Sequence, residues 1–296
     1  LHRKRQQPHH HHQDNSRSAV VAYTKEELTE PFETEWPVVK VSLNTAKEGT
    51  SIYKKLNKLT PKSIDIAVDV CGVKTLTLQN DQAKLDPGKP FFPFTNRPVL
   101  GSSFYIGSTE IFRKELGYLK MHIEWHNLPE GDKGFGDHYL YYKDNPNGDR
   151  NNDTFKVKTS VLDKKQWMDL DGGSNGYYPH KLFGQPKDTA LETTRHLQIR
   201  NALQLCGTGR DHEMEDADLY DTQTQRGFLK LELTGTDFGH KDFQPSFTQA
   251  VIKNEDPLNL PQEPYTPLIK SLSVNYTSAQ RIEFAADAGI SAENTI

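Results

Sequence analysis

Cysteine is scarce in this chain, whose 296 residues include only Cys71 and Cys206, far apart and in no CxxC pair. Two cysteines so far apart indicate neither a zinc site nor a disulfide framework, so the sequence predicts a reducing, cytosolic setting. Apolar residues make up 34% of the chain. No apolar run reaches the roughly 18 residues of a membrane span, and no leader-like signal opens the chain, so we expect no direct membrane insertion.

The sequence also lacks the marks of nucleic-acid binding and of common enzymes. Its formal net charge is -4, whereas nucleic-acid binders usually carry a basic excess. There is no GxSxG elbow, no GxxxxGK[ST] phosphate loop, no HExxH and no GxGxxG after a strand. His240 could act as a base beside Asp237, but no Ser or Cys nucleophile stands at a motif position. We therefore predict a protein without catalytic residues or cofactors.

Three stretches invite a metal-site interpretation. The acidic run Asp211–Asp218 lacks the central Gly of a calcium loop, and the Asp- and Asn-rich stretch 144–153 has no fixed ligand spacing. Asn, Asp and Gly also dominate ordinary turns. The four histidines His9–His12 lie in a polar tract typical of a solvated linker. The sequence favours no metal site, although calcium binding by the acidic loops stays an open alternative.

Alternating apolar and polar residues predict a mainly β architecture, a β-sandwich-like domain or domains with long loop insertions and a few short helices. The predicted strands are 39–43, 64–70, 74–78, 120–125, 155–158, 227–233 and 268–276. The residues after Gly72 suggest that the second and third of these form a hairpin. Helical spacing predicts a helix over 108–119, with Ser108 as its cap, and a weaker one over 243–251, while 51–59 fits a short helix or a bent strand.

The predicted organisation has four parts: a polar His-rich linker 1–18, a connecting segment 19–62, a β-rich domain 63–276 and an exit segment 277–296. The chain begins with Leu1, and we expect it to be a segment of a larger α+β protein.

One long block goes beyond general pattern. It runs from Asn80 through DPGKPFFPF to Phe94, and on through PVLGSSFYIG to Glu110. With Leu119–Pro129, Phe238–His240 and Glu263–Tyr276, it resembles the baseplate J-like proteins of extracellular contractile injection systems, which are phage-tail-like bacterial particles. Thr95 and Asn96 depart from the Gly-Pro of that pattern. The resemblance covers about residues 63–276.

The resemblance implies a structural baseplate wedge component that links the hub and spike to the sheath and helps to trigger contraction. Its partners would be other wedge subunits, hub or spike and sheath proteins in a six-fold assembly. Such a particle is assembled in the bacterial cytoplasm and is then released or membrane-anchored. The alternative from a different class is a secreted glycan-binding β-sandwich, favoured by the aromatic and Asp/Asn-rich loops.

Specific residues follow from both arguments. Prolines limit the freedom of the loop 86–98, so its phenylalanines lose little entropy on docking against a partner or the rest of the chain. The predicted partner-binding residues are Phe91, Phe92, Phe94 and Tyr105. Gly239 and His240 are predicted to be structural, with Gly239 forming a tight turn and His240 hydrogen-bonding to the backbone beside it.

Overall fold

A computed structural model describes most of the chain beyond residue 61, within the compact unit Pro61–Ile296. The described ranges are 62–114, 116–142, 149–170, 172–173, 176–177, 179–199, 218–253 and 256–283. The predictions for 1–61, for Cys206 and for nearly all of the acidic run 211–218 lie outside these residues. The proposed domain boundaries stay predictions.

The described residues are mainly β, as the alternation predicted. Their strands are β1 Ser63–Val73, β2 Thr77–Asn80, β3 Lys84–Leu85, β4 Ser103–Gly107, β5 Leu116–His126, β6 Phe155–Asp163, β7 Gln166–Asp169, β8 Gly172–Gly173, β9 Gly176–Tyr177, β10 His180–Lys181, β11 Thr194–Ile199, β12 Phe228–Gly235 and β13 Leu268–Glu283. Their α-helices are α1 Thr109–Phe112, α2 Phe135–His138 and α3 Phe243–Ile252, and a 3₁₀ turn spans Pro257–Asn259.

These strands form two main antiparallel sheets. The smaller sheet has the order β1-β13-β5-β11, and the larger has the order β10-β6-β12-β4-β2-β3, with β7 paired to β6. The predicted strands of residues 227–233 and 268–276 therefore belong to different sheets. Both sheets contribute to one hydrophobic cluster, so the two strands still share a core.

Period-2 alternation explains how each sheet meets this core. Along β5, Leu119, Met121, Ile123 and Trp125 are buried, while the residues between them lie on the opposite, partly solvated face. This is the pattern of a strand with one covered face. Aromatic rings fill the space beside it: Phe155 stacks on Phe238 with centroids 4.4 Å apart.

The predicted helix over 108–119 is wrong beyond its first turn. Ser108 does cap a helix, because its Oγ accepts a hydrogen bond from Ile111 N at 3.3 Å, but α1 ends at Phe112. From Leu116 the chain is β5, with Leu119 directly opposite Tyr276 of β13. Pairing with a strand far along the sequence overrides the local helical spacing.

The predicted hairpin after Gly72 is also wrong. β1 pairs with β13, whereas β2 begins at Thr77 and pairs with β3 and β4, so the chain crosses between the sheets here. Val73 and Leu76 are buried in the shared core on either side of the crossing. Their burial fixes the change of sheet and prevents a local return. The helix predicted over 243–251 is confirmed as α3.

Candidate functional site

The loop of residues 86–98, between β3 and β4, is anchored in the core of this chain. Phe91 and Phe94 are buried, and both rings contact Phe104 of β4, with centroids 5.7 and 6.4 Å away. The Phe91 backbone exchanges two hydrogen bonds with Ile269 of β13, at N–O distances of 3.0 and 2.9 Å. The loop thus ties one sheet to the other.

Phe92 is the accessible phenylalanine of this loop, with 38% of its surface exposed. Its carbonyl oxygen accepts a hydrogen bond from Asn80 Nδ2 at 3.0 Å, which fixes the backbone beneath the ring. A fixed, exposed aromatic ring loses little freedom on contact with another protein. Phe91 and Phe94 thus pack within the chain and Phe92 is accessible, and the partner-binding roles of these residues and of Tyr105 stay predictions.

Tyr105 belongs to an aromatic cluster on the larger sheet. Its ring stacks on Tyr220 at a centroid distance of 4.9 Å, and the Trp167 ring lies 5.7 Å away. Trp167 Nε1 donates a hydrogen bond to the Tyr220 hydroxyl at 3.1 Å, and Lys230 Nζ lies 5.1 Å from the Trp167 ring centroid. Tyr220 N in turn donates to Gln79 Oε1 at 2.9 Å. The cluster therefore fixes the chain at Tyr220 onto β2, β4 and β7.

The protonation of Tyr105 limits its chemistry. Burial raises the pKa of Tyr105 to about 12, and the Asp81 carboxylate adds to the rise. The Tyr105 hydroxyl donates to Asp81 Oδ1 at 3.3 Å, and Asp81 Oδ2 accepts from Ser103 N at 2.7 Å. The phenol is therefore neutral near pH 7 and serves for stacking and hydrogen bonding. Tyr220 covers one face of the Tyr105 ring.

A buried ion-pair cluster holds the turn after β12. The side chain of Arg150 is only 2% exposed, and its Nη2 contacts both Asp237 Oδ1, at 2.7 Å, and Asp242 Oδ2. Arg150 Nε also donates to the Asp237 carbonyl at 2.9 Å. The guanidinium lies 5.7 Å from the ring centroids of both Tyr139 and Tyr142. One arginine thus joins the residues before β6 to the residues between β12 and α3.

Gly239 lies in this turn with a φ of +77°, in the left-handed region that favours glycine. Its carbonyl oxygen accepts hydrogen bonds from Asp242 N and Phe243 N, at 3.1 and 3.0 Å, where α3 begins. A Cβ at this position would lie 3.1 Å from Arg150 Cζ. These contacts are compatible with the turn role predicted for Gly239.

His240 is half-buried beside Tyr265 and Thr266, the residues that precede β13. Its Nε2 lies 3.3 Å from Thr266 Oγ1. Burial lowers the pKa of His240 and the positive charge of Arg97 lowers it further, although Asp237 and a hydrogen bond with the Tyr265 backbone oppose this. The contacts of His240 are therefore with the approach to β13, not with its own turn as expected, and its structural role stays a prediction.

Sequence reasoning missed Arg150 and Asp242 altogether and assigned Asp237 to His240. The Arg150–Asp237 hydrogen bond joins residues 87 positions apart. Only the unusual position of one arginine among many Asn and Asp residues could have indicated a charge that needs a partner.

Helix α3 exposes apolar side chains on the surface of the chain. Ala250 is its one buried residue, while Phe247, Val251 and Ile252 are exposed. None of its ten residues is charged. An exposed and uncharged apolar helix face is typical of a surface that contacts another protein.

Two other kinds of site are absent from the described ranges. No group of three or more His, Cys, Asp or Glu side chains is placed to hold a metal ion in the part of the chain that the structure describes. Within those same residues, no helix is both long and apolar enough to cross a membrane.

The described part is thus a β unit built on two main sheets, with exposed apolar side chains and internal polar clusters that fix its loops. Comparison with protein families gives a match to the model of the baseplate proteins called PVC11-like, over residues 40–288. The chain therefore belongs to the PVC11-like baseplate protein family and is a baseplate component of a phage-tail-like contractile injection system. No curated protein matches the chain significantly.

Proposed function

We propose that this chain is a structural wedge subunit of the baseplate that links the hub and spike to the sheath and has no catalytic turnover. The observation that carries the proposal is the match to the PVC11-like baseplate family over residues 40–288. A wedge subunit needs several contact surfaces at once. The exposed side of α3 and the fixed ring of Phe92 are surfaces of this kind.

The proposal includes specific partners and a place of assembly. The chain contacts other wedge subunits, the hub or spike and the sheath in a six-fold particle that assembles in the bacterial cytoplasm, and it helps to trigger contraction. Transmission of a trigger requires a body that moves as a unit. The bridge from Phe91 to Ile269 and the Arg150 cluster support such rigidity, because they join segments far apart in sequence.

Deletion of the coding sequence from a strain that makes the particle tests the proposal. We expect sheathed particles to disappear in electron micrographs and to return when the full chain is supplied on a plasmid. Cryo-electron microscopy of the restored particles should place the chain between hub and sheath. Normal contractile particles without the chain would contradict a baseplate role, and a position away from the hub–sheath junction would contradict the wedge assignment.

A further inference from the structure

Strands β1 and β13 extend together beyond the end of their neighbour β5. β5 pairs with β13 only as far as Leu116 opposite Ser278, whereas β1 follows β13 as far as Ser63 opposite Glu283. The residues 63–68 and 278–283 therefore form a two-stranded ribbon. A ribbon of two strands is marginally stable in water unless another element covers it.

On one face of this ribbon, β1 carries a stripe of exposed apolar residues. Ile64, Ile66 and Val68 follow Val70 along the same face of β1, and they are 43%, 39% and 42% exposed. Val70 packs against the hydrophobic core, so the stripe lies on the same side of β1 that faces the core at Val70. No described residue covers the stripe beyond that point. A stripe of three adjacent exposed β-branched residues is unusual on a protein that works alone.

The other face of the ribbon is polar and internally paired. Arg281 Nε lies 2.6 Å from Asp65 Oδ1, and the Thr277 hydroxyl donates to Asp69 Oδ1 at 2.5 Å. These cross-strand contacts hold β1 and β13 together.

β1 is also an edge strand of its sheet among the described residues. It ends the strand order of its sheet, and no described strand pairs with its other edge. Natural edge strands are usually blocked by lysine, proline or a short length. β1 has eleven residues, contains no Lys, Arg or Pro, and carries two acidic residues, Asp65 and Asp69.

We propose that β1 is a docking edge at which an extended segment of another baseplate subunit adds as a strand. The partner segment alternates apolar residues, which continue the stripe of Ile64, Ile66 and Val68, with a Lys or Arg near Asp69, whose carboxylate is hydrogen-bonded only to the neutral Thr277 hydroxyl among the described residues. The proposal rests on the proposed function, since it needs the chain to work inside a baseplate. A second copy fits less well, because a second β1 strand contains no Lys or Arg that could face Asp69.

Cys71 makes the edge directly measurable, because it is exposed on β1 and is a free thiol. The experiment labels Cys71 and an introduced Ala67→Cys with a maleimide, in the full-length isolated chain and in purified particles, and reads each site by peptide mass spectrometry. Met168→Cys on β7 is the matched control, since Met168 is a strand residue with 43% exposure. We expect both β1 thiols to react in the isolated chain and to react about tenfold more slowly in particles, with little change at position 168.

A second variant pair tests the partner's contact with the stripe. Ile66→Lys should reduce incorporation of the chain into particles about tenfold, while the matched Met168→Lys should not, and both isolated chains should unfold at nearly the wild-type midpoint. Asp69→Lys should lower incorporation in a salt-dependent way if the partner contributes basic residues.

Each remaining outcome overturns the proposal in a distinguishable manner. Thiols on β1 that stay reactive in particles containing the chain refute the docking edge but leave the wedge function intact. Protection that grows with concentration of the isolated chain assigns the edge to a second copy, and protection at every concentration assigns it to the chain itself. Absence of the chain from particles refutes the proposed function, and the docking edge with it.

Discussion

Replacement of Arg150 by methionine should destabilise the folded chain by several kcal/mol. Methionine keeps much of the length of the side chain but leaves Asp237 and Asp242 without their common cation. Removal of one partner from a buried ion pair costs about 3–5 kcal/mol, because a charge stays buried and uncompensated. Asp242 keeps 31% of its side chain exposed and so retains some hydration, which places the expected loss near the lower value.

Urea unfolding of the purified full chain, followed by circular dichroism, measures this loss. The matched control is Arg281→Met: Arg281 and Asp65 form an ion pair in which both side chains are more than half exposed, so the midpoint should stay near that of the wild type.

A combined variant distinguishes the loss of the Arg150 cation from the cost of leaving the two carboxylates buried without a partner. Arg150→Met with Asp237→Asn and Asp242→Asn removes all three charges, and the amide oxygen introduced at position 237 can still accept the hydrogen bond that Gly239 N gives to Asp237 Oδ1 at 2.9 Å. We expect this variant to recover about half of the loss, because the desolvated carboxylates no longer lack a partner. A loss of less than about 1 kcal/mol for Arg150→Met, or no recovery in the combined variant, would show that the cluster is not a buried ion pair in solution.

Three further predictions concern single positions. Gly235→Ala should destabilise the chain far more than Gly72→Ala. Both glycines have a φ near +80°, but only a Cβ at position 235 would clash with a backbone oxygen, that of Thr154 at 2.2 Å. Equal urea midpoints for the two variants would contradict this. The pKa of His240 is lowered in the folded chain, so the unfolded chain binds a proton first as the pH falls, and stability should decrease below about pH 6.5. His240→Gln should weaken this dependence in urea midpoints measured from pH 7.5 to 5.5. His240→Leu should cost more stability than His240→Gln. Phe94→Ser should cost about 3–5 kcal/mol of stability because its ring is buried, whereas Phe92→Ser should leave thermal unfolding nearly unchanged and lower particle yield; equal melting losses would count against the difference in burial.

The sequence predicts strands well where one face is covered and poorly where distant pairing decides. β5, β12 and β13 were recognisable because their apolar residues alternate, and alternation directly reflects a half-buried strand. Residues 116–119 carry apolar side chains at a spacing that also fits a helix. Their strand conformation depends on hydrogen bonds to Tyr276 and Ser278, and no local pattern contains that information.

The contact surfaces were predictable only in part, for a related reason. The loop of residues 86–98 was recognisable as a docking loop from its prolines and phenylalanines, but which rings are buried depends on Phe104 and Ile269. The stacking partner of Tyr105, Tyr220, lies more than a hundred residues away. The exposed stripe on β1 looked in the sequence like an ordinary strand face, because alternation shows which residues share a face and not whether anything covers it.

The antiparallel pairing of β1 with β13 also sets how the unit responds to mechanical load. Ser63 lies opposite Glu283, so these two points of the chain are neighbours at one end of the ribbon. Tension between those two points acts across the ribbon and separates its hydrogen bonds one after another, whereas tension along the strands would load many bonds at once. In a particle driven by contraction, force applied at this end would open the ribbon first, while force applied through the opposite end of the sheets would meet the whole core.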